Sequence, residues 1–222
     1  MSRRSENPTA SDEERSILCP PGLSSAEPEF SPVQRRILLQ AAHQAIVSGV
    51  RDEPYPEPPV HSSGVAASLW TALLAPRGVF TTLYLEGELR GCVGYAAAIH
   101  PLYRAVQETA RAAAFEDSRF SPVLEEEASK LRISVSVLSP LFPIQAPQVE
   151  VGRHGLVVSD GMRRGLLLPQ VPVEHGWDRE AFLDQTCRKA GLPSGAWKRP
   201  SVNIEAFTAE VFGDDGVYGS IM

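Results

Sequence analysis

Gly78-Val79-Phe80-Thr81-Thr82-Leu83-Tyr84-Leu85-Glu86-Gly87-Glu88-Leu89-Arg90-Gly91-Cys92-Val93-Gly94 holds two segments joined by a turn at Glu86-Gly87-Glu88. The first is rich in β-branched and aromatic residues, so the whole reads as a β-hairpin with Cys92 on its second strand. Strand side chains alternate faces, which sends Arg90 and Cys92 to one side, about 6.5 Å apart, and Leu89 and Val93 to the other. A guanidinium over a thiol favours the thiolate, and Gly91 and Gly94 remove side chains that would hold a ligand away. Arg90 and Cys92 are therefore candidate catalytic residues, and Gly91 and Gly94 candidate binding residues. The same residue types fit a second reading: Cys92 as a small buried hydrophobe, Arg90 paired with a carboxylate, and glycines marking a bulge or close packing.

Upstream, Ser31-Pro32 gives a helix-start signal, and Val33, Ile37, Leu38, Ala41, Ala45 and Ile46 share one face until Gly49. This predicts an amphipathic helix packed on a core, with His43 structural or solvated. Pro54, Pro56, Pro58 and Pro59 make Asp52 to Pro59 an extended loop leading to the hairpin, with His61 on the surface after it. Residues 1–30, rich in Ser, Glu and Pro, are expected to form a disordered tail in which Cys19 has no task. Residues 31–222 are expected to fold as one unit.

Downstream, His100-Pro101 opens a second helix burying Leu102, Ala105, Val106, Ala110 and Ala113. Ile133, Val135 and Val137 alternate with Ser134 and Ser136 as a half-buried strand, and short strands are expected at 156–158 and 165–168 around Asp160-Gly161. Asp178 caps a third helix carrying Phe182, Leu183, Thr186 and Ala190, with Cys187 in the core and Gly191 and Pro193 as its stop. Val202 to Phe212 reads as one closing extended segment. The fold class is α+β: a mainly antiparallel sheet with flanking helices.

A length of 222 residues suits one sizeable core or two tightly packed lobes. The formal charge of −6 offers no basic footprint, so no nucleic-acid partner is expected. Three cysteines far apart, without a C-x-x-C pair, suggest neither a disulfide framework nor a zinc finger. No run of about 18 apolar residues occurs and the N-terminus lacks an apolar signal core, so a soluble cytoplasmic protein with no membrane partner is expected. No His/Asp/Glu spacing suggests a metal and no glycine-rich phosphate loop occurs, so no metal and no cofactor are expected.

A cysteine nucleophile needs a base or a positive charge to hold the thiolate, and a group to orient that partner. Arg90 supplies the charge locally, and His154, in Gly152-Arg153-His154-Gly155, is the best-placed histidine for the base; His175, before Gly176-Trp177, reads as structural or solvated. Asp117 and Arg119, framed by Phe115 and Phe120, read either as an ion pair pinning a loop after a helix or as residues lining a cleft. With Gly91, Gly94 and His154 they complete the candidate binding set.

Leu89-Arg90-Gly91-Cys92-Val93-Gly94 resembles the L-R-G-C-I-G signature of the AMMECR domain family, with Val93 for isoleucine. Other stretches resemble the family in the same order: Gly78-Val79-Phe80, the run from Ala114-Phe115 to Arg119-Phe120, Leu131 to Ser139, Gly152 to Leu156, Leu167 to Val171, Gly176-Trp177-Asp178 and Lys189 to Leu192. The chain is most similar to the short prokaryotic form called AmmeMemoRadiSam system protein A. The resemblance covers about Pro32 to Phe212 and implies an α+β fold in two lobes, with a cleft near the cysteine motif. It further implies a Memo-like protein and a radical S-adenosylmethionine enzyme as partners, and brings no established reaction. Tyr95 departs from the small or hydroxylic residue of the family pattern, which changes the expected pocket shape. The favoured expectation is a binding or accessory component whose glycine-rich strand docks a partner. The alternative is a cysteine-dependent enzyme acting on a small-molecule ligand, with Cys92 poised by Arg90.

Overall fold

Ser31 starts the first helix through a reciprocal cap. Its hydroxyl accepts the Gln34 N–H while Gln34 Oε1 accepts the Ser31 N–H at 2.8 Å, and Pro32 fills the first helical position. The computed structural model describes residues 29–58 and 67–214, so Cys19, Pro59 and His61 lie outside the described residues. The elements run α1 (Pro32–Val50), α2 (Ala67–Leu74), β1 (Val79–Leu85), β2 (Glu88–Tyr95), α3 (Leu102–Phe115), α4 (Glu125–Ala128), β3 (Arg132–Leu138), β4 (Phe142–Pro143), β5 (Gly155–Asp160), β6 (Arg163–Leu167), α5 (Gln170–Glu174), α6 (Arg179–Lys189), β7 (Asn203–Phe207) and β8 (Ala209–Gly213). The expected helices at α1, α3 and α6 and the hairpin β1–β2 are present. Helix α2 was not expected; it is short and apolar, with no polar face to give a period, and it forms because Trp70 and Leu73 are buried.

The α+β class holds, with two antiparallel sheets in place of one. The first has the order β2-β1-β3-β8 and the second β4-β7-β5-β6. Helices α1 and α3 cover one face of the first sheet, burying Leu38, Leu39, Ala42, Val106 and Ala110 against Val79, Leu83, Ile133 and Val135. Helix α6 covers one face of the second, where Phe182 and Leu183 meet Leu156 and Ala206. Each fully buried Leu or Phe contributes about 1.5–3 kcal/mol relative to exposure. The two lobes join through Leu138, Val157, Leu168 and Phe207, against which Phe80 and Ala209 pack.

The closing segment is two strands, a correction to the single extended run. β7 lies in the second sheet and β8 in the first, so the chain changes lobe at Thr208. The other crossing, between β3 and β4, runs alongside: Ser139 N–H donates to Thr208 O at 2.8 Å and Thr208 N–H to Ser139 Oγ at 3.0 Å. A period-two pattern cannot show that switch, because both strands alternate.

Phe30, assigned by composition to the tail, is in fact core and only 1% exposed. Glu210 on β8 holds it there: its carboxylate accepts the Glu29 and Phe30 N–H groups at 2.6 and 3.2 Å and the Arg35 Nε–H at 2.9 Å. Glu210→Ala leaves those donors unpaired, the buried Phe30 N–H among them, so a loss of about 2 kcal/mol in urea unfolding is expected. An unchanged midpoint would mean that this anchor contributes nothing.

Candidate functional site

β2 is the edge strand of the first sheet, paired with β1 on one side only. Its register slips near the turn: Tyr84 faces Leu89 but Leu83 faces Gly91, which leaves Arg90 as the extra residue of a bulge. Thr81 meets Thr109 of α3 at 2.8 Å, hydroxyl to hydroxyl, so that side of β1 faces the helices. A Cβ on Gly91 would lie 2.1 Å from the Ala113 carbonyl oxygen of α3, so only glycine lets β2 lie this close to the helix backbone. Gly94 gives room to the Phe80 ring on the other side, where a Cβ would sit 2.2 Å from Cδ1. Cys92 faces that same non-helical side, half-buried, and the Thr82 hydroxyl donates to its Sγ at 3.3 Å.

The outward peptide groups of Cys92 are bonded by side chains. Its N–H donates to Asp117 Oδ2 at 2.8 Å, and its C=O accepts from Arg119 Nη2 at 3.4 Å. Arg119 in turn holds Asp117 in a two-point bridge, Nε to Oδ1 at 2.9 Å and Nη2 to Oδ2 at 2.7 Å. A carboxylate acceptor and a guanidinium donor thus stand where a neighbouring strand would present its own C=O and N–H, closing the edge at Cys92. The Arg119 bridge, with help from the Cys92 and Arg119 N–H groups, holds the Asp117 carboxyl down to about 2. Arg119 is raised, chiefly by the bond to Asp117, and the Cys92 sulfur adds to the same effect. Of the two earlier readings of Asp117 and Arg119, the loop-pinning ion pair is present, and it pins the loop to the cysteine itself.

Arg90 is paired with a carboxylate, as the second reading of the motif had it. Its guanidinium bonds both oxygens of Glu127 on α4, at 3.2 and 3.0 Å, and donates to the carbonyls of Ser121 and Pro122 at 2.8 and 3.3 Å. The alternation argument assumed an unbroken ladder, and the bulge at Arg90 breaks it. The cation that bonds at Cys92 is Arg119, while Arg90 draws the 121–127 segment onto the strand and lowers Glu127 by its hydrogen bonds. The bulge also explains why Thr82 was missed, since counting residues outward from the Glu86-Gly87 turn places Thr81 opposite Cys92. Glu127 gave no sequence signal beyond being one of three consecutive glutamates.

His154 immediately precedes β5 of the second sheet. Its Nδ1 accepts the Glu150 N–H at 3.0 Å, its ring stands edge-on to Phe142, and burial lowers its pKa. It closes the 150–155 turn in the second lobe, whereas Cys92 lies on β2 of the first sheet. Tyr95 packs on the helical core and its ring lies 5.8 Å from His100. Among the described residues no group of three or more His, Cys, Asp or Glu side chains is placed to hold a metal ion, and no helix is long and apolar enough to cross a membrane.

The exchange of roles between the two arginines has a direct consequence. Arg119→Gln is expected to slow iodoacetamide alkylation of Cys92 about threefold or more, and Arg90→Gln to leave it within about twofold while lowering stability by about 1–2 kcal/mol. Peptide mass spectrometry of the alkylated chain separates Cys92 from Cys19 and Cys187, and the reverse order of effects would return Arg90 to the thiol.

A family model described as AMMECR1 matches residues 39–212. A protein of Thermococcus gammatolerans is 43% identical over 195 residues, 83% of this chain and 92% of that one. A protein of Aquifex aeolicus is 41% identical over 152 residues, 65% of this chain and 78% of that one. The crystal structure of the uncharacterized protein PH0010 from Pyrococcus horikoshii superposes with a TM-score of 0.68 at 37% identity, over 87% of this chain and 97% of that one.

Proposed function

Since the chain belongs to the AMMECR1 family, we propose that it is a binding or accessory component rather than an enzyme, of the AmmeMemoRadiSam system protein A type. Its partners on this reading are a Memo-like protein and a radical S-adenosylmethionine enzyme, met in the cytoplasm. The observation that carries the reading is the commitment of the charged groups at Cys92 to holding the strand edge. Asp117, held down to about 2, stays ionised at neutral pH and is a poor proton acceptor there. Arg119 is bonded to Asp117 and to the Cys92 carbonyl. The braced, glycine-bearing strand then serves as a rigid docking element, with Gly91 and Gly94 setting how it sits between α3 and Phe80.

One observation favours the alternative. Cys92 is half-exposed, accepts the Thr82 hydroxyl and has a guanidinium beside it, an environment that supports a thiolate acting on a small-molecule ligand. Co-expression of the tagged chain with the Memo-like and radical S-adenosylmethionine proteins encoded in the same genome tests the first reading. A stoichiometric complex on gel filtration is the expected result. Elution of all three proteins as separate species, with the chain folded, would remove the basis for the accessory role.

A further inference from the structure

Five cations stand on neighbouring elements of the second lobe, four of them within residues 188–199 and the fifth, Arg163, on an adjoining strand. Arg163 stands on β6 beside the fully exposed Met162, Arg188 and Lys189 end α6, and Lys198 and Arg199 lie on and just after the 3-10 turn Ala196–Lys198; all five are exposed. β6 lies directly on the end of α6: a Cβ on Gly165 would be 2.2 Å from the Ala190 nitrogen, and Arg163 Nη1 donates to Gly191 O at 3.4 Å. The 3-10 turn is fixed to α6 by Asp184, whose Oδ1 accepts the Gly195 N–H and the Trp197 Nε1–H at 2.7 Å each. Arg188 Nε donates to Ser194 Oγ at 3.0 Å, and Lys198 Nζ lies 4.7 Å over the Trp197 ring.

The two carboxylates nearby, Asp184 and Asp160, offset part of the charge of this face and are outnumbered by its five cations. Asp184 is occupied by the turn, and Asp160, opposite Arg163 in the β5–β6 pairing, makes no ion pair with it. Among the described residues none of the five cations is in an ion pair, whereas Arg35, Arg77, Arg90, Arg104, Arg119 and Arg153 all are. Charges left unpaired on three rigidly connected elements, in a chain whose formal charge is −6, form a local field of opposite sign to the whole.

We propose that this face docks an acidic surface of a folded protein partner. Arg, Trp and Met together with a cationic rim match the composition of protein interfaces, and guanidinium forks pair with carboxylates at two points. A nucleic acid fits less well, because a long polyanion that reaches beyond the cluster meets the net negative charge of the rest of the chain. The proposal does not depend on Cys92, which lies in the other sheet.

The full chain is titrated with a fluorescein-labelled oligoglutamate of about twenty residues, and separately with a DNA duplex of similar charge, at about 50 and 200 mM salt. Saturable binding to oligoglutamate, weakened about tenfold or more in R163E/K189E/K198E and several-fold in the charge-neutral R163Q/K189Q/K198Q, is expected. The control R36E/R51E/K130E changes net charge equally on the first lobe and is expected to bind almost as the parent does. Equal weakening by the control, absence of saturable binding at the lower salt, or tighter binding of the duplex would each overturn the proposal; melting temperatures confirm that every variant is folded.

Discussion

Gly91→Ala is expected to destabilise the protein by about 3 kcal/mol or more, a drop of about 10 °C in melting temperature for a chain of this size. The new methyl group would lie 2.1 Å from the Ala113 carbonyl oxygen and 3.0 Å from its carbon. That neighbour is helix backbone, not the end of a flexible side chain, so relief requires α3 and β2 to separate. Separation pulls Val93 away from the core beneath it, and the loss is paid again in packing. Gly87→Ala is the matched control: its φ is +90° but nothing lies within 4 Å, so only backbone strain of about 1–2 kcal/mol applies. Thermal unfolding of the two variants separates contact from conformation, and a Gly91→Ala protein that melts within about 2 °C of the parent would show that strand and helix are not in this contact.

Asp117→Asn is expected to cost at most about 2 kcal/mol at neutral pH, the free energy that corresponds to a carboxyl moved from 3.8 to about 2, reduced by solvent at the half-exposed Arg119. The pH dependence follows from the direction of that shift. A carboxyl whose pKa is depressed by folding adds stability above its unfolded value, near 3.8, and loses it as the pH falls toward about 2. The parent should therefore lose stability across that window more steeply than Asp117→Asn, and the two should converge at its acid end. Urea unfolding at a series of pH values checks this. Parallel curves for the two proteins would mean that the carboxylate has no special partner in the folded state.

Local signals carried much of the fold. The Ser31-Pro32 cap, the Asp178 cap, the period-two hairpin and the alternation of β3 follow from residues next to one another, and each formed where expected. What escaped depends on contacts made across the chain. Phe30 is core because Glu210, distant in sequence, binds its N–H, and the lobe switch at Thr208 is fixed by Ser139. At the candidate site the motif singled out Arg90 for the thiol, whereas the guanidinium bonded to the Cys92 peptide is that of Arg119. A single bulge residue shifts the pairing of β2 with β1 beyond it, and Gly91 admits a bulge or close packing without placing the extra residue at Arg90. Asp117 and Arg119 were recognisable as a pair from their spacing, while their target, the Cys92 peptide, was not. His154 was chosen as the histidine between two glycines, and those glycines serve a turn that its ring closes.

The proposed docking role of the strand that carries Cys92 is tested by isothermal titration of Cys92→Ala with the purified Memo-like and radical S-adenosylmethionine proteins. A complex whose affinity stays within about threefold of the parent's is expected, because the Asp117 and Arg119 bonds reach the Cys92 peptide and not its sulfur. Weakening of the complex by about a hundredfold or more in a folded Cys92→Ala protein would contradict it and place the sulfur itself at the centre of the function.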